Sequence, residues 1–149
     1  MTTASTTSAI IASRFSLTID GYEIAVFTEL SGITAEVEPS EYWSTETEGT
    51  AISRLPGKIK HPTVTLKRGM TGGLELWAWH ESVRQGNMAV ARKSCLLAML
   101  NSEGKAVAKY WLENAWPSKM DLSGLKAGPS VPMMETVTLT CENIKRLAP

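Results

Sequence analysis

The chain has 149 residues, 15 basic against 15 acidic, with 43% hydrophobic and 20% charged content. That is the composition of one globular domain, residues 1–149, long enough to bury a core. Balanced charge excludes a global field for nucleic acid or an anionic surface. No apolar run approaches the roughly 20 residues that span a bilayer, so no membrane anchor is expected.

Residues 1–12 are mainly Thr, Ser and Ala and are read as a flexible tail that orders on a partner. They carry neither a basic n-region nor a long apolar h-region, so they are not read as a secretory signal. From Arg14 the pattern alternates, with Phe15, Leu17 and Ile19 on one side, which predicts a half-buried strand. Asp20 and Gly21 form a tight-turn pair. A second strand follows from Tyr22 to Leu30, and Ser31 with Gly32 is read as the turn into a third, Ile33 to about Trp43.

The stretch Ser44 to Gly57 has no usable period and is read as a long inter-strand loop or arm, longer than an ordinary hairpin turn. Charge is segregated around it. Glu36, Glu38, Glu41, Glu46 and Glu48 come first, then Arg54, Lys58, Lys60, Lys67 and Arg68. One reading is a solvated hairpin whose arms pair across strands; the other is an arm whose charge sets register on a neighbouring subunit.

Thr63 to Leu66 predict a strand, Gly69 to Gly73 a sharp turn, and Leu74 to about Gly86 a helix. At about 100° per residue, Leu74, Trp77 and Ala78 share one face of that helix, while Leu76, Trp79 and Val83 lie roughly opposite. Two apolar faces suggest one against the chain's own sheet and one against a partner, or else one broad stripe buried in the chain's own fold by a loop; on the first reading Leu76, Trp79 and Val83 are assigned to the partner. Cys95 to Leu100 is apolar throughout, as in a strand covered on both faces, the second cover being another subunit. Asn101 to Gly104 is a turn, Ala106 to Asn114 a strand, and Trp116 to about Ser123 another. Leu125 to Pro132 is a connector, and Met134 to about Ile144 the last strand, with a row of threonines on one side. The total predicts a mainly β protein: a β-sandwich or flattened barrel of seven or eight strands with one α-helix.

No catalytic constellation emerges. His61 and His80 are isolated, and two separated cysteines with two histidines make no zinc set. The glycine cluster lacks the Gly-Lys-Ser/Thr of a phosphate loop, and there is no GxSxG elbow. Cys95 and Cys141, in strand-like runs, read as reduced core residues of a protein made in the cytoplasm. No enzyme activity, cofactor or metal is expected.

The order of the pieces resembles tail tube proteins of contractile phages and contractile injection systems. The likeness rests on Phe15 to Gly21, Phe27-Thr-Glu-Leu-Ser-Gly32, and Glu36 to Glu38 leading into Glu41, Tyr42 and Trp43. It continues through Arg54 to Gly57, Thr65-Leu-Lys-Arg-Gly69 before a Trp-bearing helix, Glu113-Asn-Ala-Trp-Pro117, and Met134 to Leu139 with Glu142. The resemblance implies hexameric rings stacked into a hollow tube inside a contractile sheath. Baseplate, spike and tube-terminating proteins would be further partners, with cargo effector or DNA in the lumen. The particle would assemble in the cytoplasm and then form part of a phage tail or be released. It also implies that the 44–57 arm grips a neighbour, and haemolysin-coregulated proteins of type VI secretion share the architecture. Glu46, Glu48, Arg54, Lys58, Lys60, Lys67, Arg68, Leu76, Trp79 and Val83 are therefore the expected subunit-contact residues. Two other readings stand beside this: a tube-initiating ring at the baseplate, and a monomeric β-sandwich module stacking its tryptophans on carbohydrate.

Overall fold

A computed structural model describes residues 9–46, 49–71, 73–124 and 133–149, with the backbone alone for 42–46 and 49–54. In chain order the strands are β1 (Arg14–Ile19), β2 (Tyr22–Phe27), β3 (Glu29–Thr34), β4 (Val37–Glu46), β5 (Gly49–Ile59) and β6 (Thr63–Gly69). Two helices, α1 (Glu75–Arg84) and α2 (Met88–Ala91), precede β7 (Lys93–Leu100), β8 (Ala106–Ser123), β9 (Met134–Thr140) and β10 (Asn143–Leu147). Eight strands form one antiparallel sheet in the order β2-β1-β7-β8-β9-β6-β3, with β10 also on β8. Strands β4 and β5 make a separate two-stranded sheet.

The 18-residue β8 organises the large sheet. Its first half pairs with β7 and β10, and its second half with β9. The change of partner follows just after Asn114, between Ala115 and Trp116, and the φ of Asn114, 47°, is left-handed. Asn is among the few residues that adopt this region readily, because its short amide bonds locally. Here Asn114 Nδ2 donates to Glu142 at 2.7 Å. The two strands predicted over 106–123 are thus one strand with a hinge.

Both halves of the sheet turn a face onto one core. Leu17, Phe27, Leu97 and Leu112 come from one half; Val64, Leu66, Val137 and Leu139 come from the other. The alternation is regular in β6 and β9, where every second residue is buried, as a strand with one covered face requires. No ladder among the described residues closes the sheet into a barrel. A backbone bond from Thr28 to the Lys67 carbonyl, 3.0 Å, ties the β2–β3 corner to β6.

Several predicted boundaries move. Asp20 (φ 51°) and Gly21 (φ 81°) make the expected two-residue turn. Ser31 and Gly32 lie inside β3, where the ladder shifts register between Leu30 and Gly32, so they form a bulge rather than a turn. The expected loop over 44–57 falls instead largely in a pair of strands, β4 and β5, whose ladder runs from Val37↔Ile59 to Glu46↔Gly49 with one register shift between Val37 and Pro39. The described side chains, 37–41 and 55–59, are turned away from the core, so burial does not select for alternation there. The last predicted strand is interrupted at Cys141 and Glu142, and β10 pairs with β8. The described residues therefore hold ten strands and two helices where seven or eight strands and one helix are predicted. The connector 125–132 and residues 1–8 lie outside the described residues.

Candidate interface surfaces

The helix decides which apolar surface remains outside. α1 begins with Glu75 in its first turn and ends with Arg84 in its last, both favourable to the helix dipole. Gly86, at φ 78°, lets the chain leave the helix in the left-handed region. Leu76 is fully buried and Trp79 is 7% exposed, both in the core cluster. The Trp79 indole Nε1 donates to the carbonyl of Ala91 in α2, and His80 Nδ1 donates to the Pro117 carbonyl of β8 at 3.0 Å. These bonds seat that face on the chain's own body. Leu76 and Trp79 are thus core residues, not partner contacts, and Val83 is half-buried. The outward face is the other one, where Leu74 is 72% and Trp77 48% exposed.

Leu74 and Trp77 wall one side of a groove of about 480 Å³, with Met70 before the helix and Met120 and Leu122 from β8 across from it. Asp121 lies within it and pairs with Lys119 at 3.3 Å, both exposed. Glu135 also lines it, and Glu75 lies next to its Gly73 wall, with Oε2 2.7 Å from where a Gly73 Cβ would sit. The groove was not a sequence expectation, since Leu74 and Trp77 lie on the helix face opposite the one assigned to a partner. Its other walls come from segments some 45 residues apart in the chain, which no local pattern joins.

The basic run predicted as one feature is split in two. Lys58 and Lys60 are exposed at the base of the hairpin, and Lys60 pairs with Glu36 at 3.3 Å across it. Arg54 lies in register with Glu41. Glu46 ends β4, and Glu48 lies outside the described residues. Lys67 and Arg68 belong to β6 and point to opposite faces. Lys67 is half-buried on the outer face. Arg68 is 7% exposed, bonds Glu135 of β9 at 3.3 Å and lies 5.7 Å over the Phe27 ring. Arg68 therefore serves the interior, and its expected place at a subunit contact is corrected: at 7% exposure, paired with its own strand partner, it leaves almost no surface for a neighbour.

The hairpin itself is exposed along both described arms. Val37, Leu55 and Ile59 are 49%, 50% and 70% exposed, and Val37, Pro39, Leu55 and Pro56 form a shallow apolar recess. Gly57 keeps the two strands close, since a Cβ there would come within 2.7 Å of the Glu38 carbonyl oxygen. The outer face of β6, β9 and the end of β8 is a third surface. Thr63, Thr65, Thr136, Thr138 and Thr140 line it, with Thr65 and Thr138 hydroxyls 3.5 Å apart and Thr140 donating to Ser118 at 2.9 Å.

Cys95 and Cys141 are free thiols in the core. Burial pushes both up to about 12, and the neighbouring Cys141 contributes to the shift of Cys95. No cluster of three or more metal-ligating side chains occurs among the described residues. No helix among them is long and apolar enough to cross a membrane.

The fold has close relatives in solved structures. A chain of the extracellular contractile injection system PVC sheath-tube complex is 21% identical with a TM-score of 0.77, over 97% of this chain and 95% of that one. A chain of the six-fold symmetrised anti-feeding prophage baseplate is 19% identical with a TM-score of 0.73, over 96% and 97%. Hcp1 from Flavobacterium johnsoniae is 16% identical with a TM-score of 0.51, over 89% and 93%. Curated protein sequences give no match. At these identities the structures establish the fold, while the sequence itself matches the T4-like virus tail tube protein gp19 family over residues 12–145. The chain therefore belongs to the tail tube protein family.

Proposed function

We propose that copies of this chain build the inner tube of a contractile injection particle or phage tail, as hexameric rings stacked end to end, without catalysis. The carrying observation is the β4–β5 hairpin. It is a two-stranded sheet apart from the large one, with apolar side chains open on it. An isolated two-stranded hairpin is marginally stable in water, so a neighbouring copy is the natural source of its missing contacts. Family membership supports the tube, and the six-fold symmetrised assembly that holds a similar chain supports rings of six. Sheath, baseplate, spike and terminating proteins are then the outer and end partners, with the particle assembled in the cytoplasm before release. The threonine face is the proposed bore wall: hydroxyls hydrate well yet hold no fixed charge that would retain DNA or protein cargo in transit.

Negative-stain imaging of concentrated purified protein tests the reading. Hollow rings or tubes are the expected result, and Lys60→Glu should shorten them with little effect on folding, because an exposed pair such as Lys60–Glu36 contributes only about 0–1 kcal/mol. A chain that stays monomeric by light scattering at high concentration refutes the tube. Copy number per particle separates the bulk tube from a single initiating ring.

A further inference from the structure

The hairpin needs a receiving surface, and the groove beside α1 matches it in two respects. It is apolar, walled by Leu74, Trp77, Met70, Met120 and Leu122, so it complements the Val37, Pro39, Leu55 and Pro56 recess. It is also acidic at its rim through Glu75 and Asp121, whereas the exposed ammonium of Lys58 stands beside the apolar part of the hairpin. We infer that the base of the β4–β5 hairpin of one copy docks in the α1–β8 groove of a second copy, with Lys58 directed to the Glu75 and Asp121 rim. Apolar burial there supplies affinity, and the charge sets register. The inference rests on the tube reading and adds to it a site on the receiving subunit.

Mixed cross-linking tests it without removing any apolar contact. Ser40→Cys places a thiol on β4 opposite Leu55, and Thr71→Cys places one in the groove wall. The native thiols, buried and pushed up to about 12, stay silent toward a short bis-maleimide in the folded chain. Mixing the two full-length variants under assembling conditions should give a bridged dimer that neither variant gives alone. Lys58→Glu should lower its yield several-fold, and adding Glu75→Lys on the partner variant should restore it. Rings or tubes that form without the mixed dimer overturn the groove while leaving the tube reading intact. A Thr71→Cys thiol shielded from maleimide in the monomer would show that a segment of its own chain fills the groove, which also overturns the inference. A chain that never assembles removes the parent reading and this one together.

Discussion

The large sheet and the β4–β5 hairpin use the same kind of strand for opposite ends. In β6 and β9 every second side chain is buried, and the two strands share one core with β1, β7 and β8. In the hairpin, backbone pairing is as extensive, yet the side chains described from Val37 to Glu41 and at Leu55 and Ile59 are exposed. Hydrogen bonds in water add little net stability, whereas apolar burial is the dominant favourable contribution. The first region is thus complete within one chain, and the second leaves its described apolar side chains open while its backbone is paired.

The comparison can be broken most severely in the body. Glu135→Ala should cost about 3–5 kcal/mol by stranding the Arg68 guanidinium in the interior, while replacing both partners by apolar residues should restore most of it. Urea midpoints of the single and double variants check this; equal losses would show that the pair does not act as one. Next, Leu76→Ala should cost about 2–5 kcal/mol by opening a cavity under α1. Trp77→Ala, on the open face of the same helix, should cost far less, and a reversed order would place the helix the other way round.

The core thiols add a dependence on pH. Both fold with pKa raised from 9.0 to about 12, so their contribution is complete below pH 9 and is lost as the pH rises through that window. Urea titrations at about pH 8 and about pH 10 should differ, and replacing Cys95 by Ala should reduce the difference. Asn114→Val should cost about 1–2 kcal/mol, since a β-branched residue at φ 47° is strained, whereas Asn114→Gly should be near neutral. The smallest effect on folding belongs to the hairpin. Ile59→Ser should change stability by no more than about 0.5 kcal/mol yet weaken assembly measured by light scattering. A large stability loss there would mean that the hairpin is part of the body after all.

Much of the body was legible because burial and turn chemistry write themselves locally. Phe15, Leu17 and Ile19 alternate, Asp20-Gly21 turns, and Gly86 ends a helix, each within a few residues. The hairpin carries no period that a local pattern could show, and its described side chains, 37–41 and 55–59, lie away from the core. Ser31 and Gly32 have turn chemistry but sit in a bulge, since β6 lies alongside to continue the ladder. The interface candidates divide the same way. Lys58 and Lys60 are exposed, as a contact with a neighbour requires, while Leu76, Trp79 and Arg68, assigned outward, lie inward.

The amino-acid order alone determined a mainly β chain with a central helix, its main hairpin turn, two unpaired core thiols and the motifs of the tail tube family. Only the tertiary structure decided which apolar stripe of α1 is covered, that β8 runs through Asn114 as one strand, and that Arg68 faces Glu135 rather than a neighbour. The physical reason is range. Periodicity and turn preference act over a few residues, but whether Leu76 or Trp77 is hidden depends on α2 and β8 arriving from elsewhere in the chain to bond Trp79 and His80.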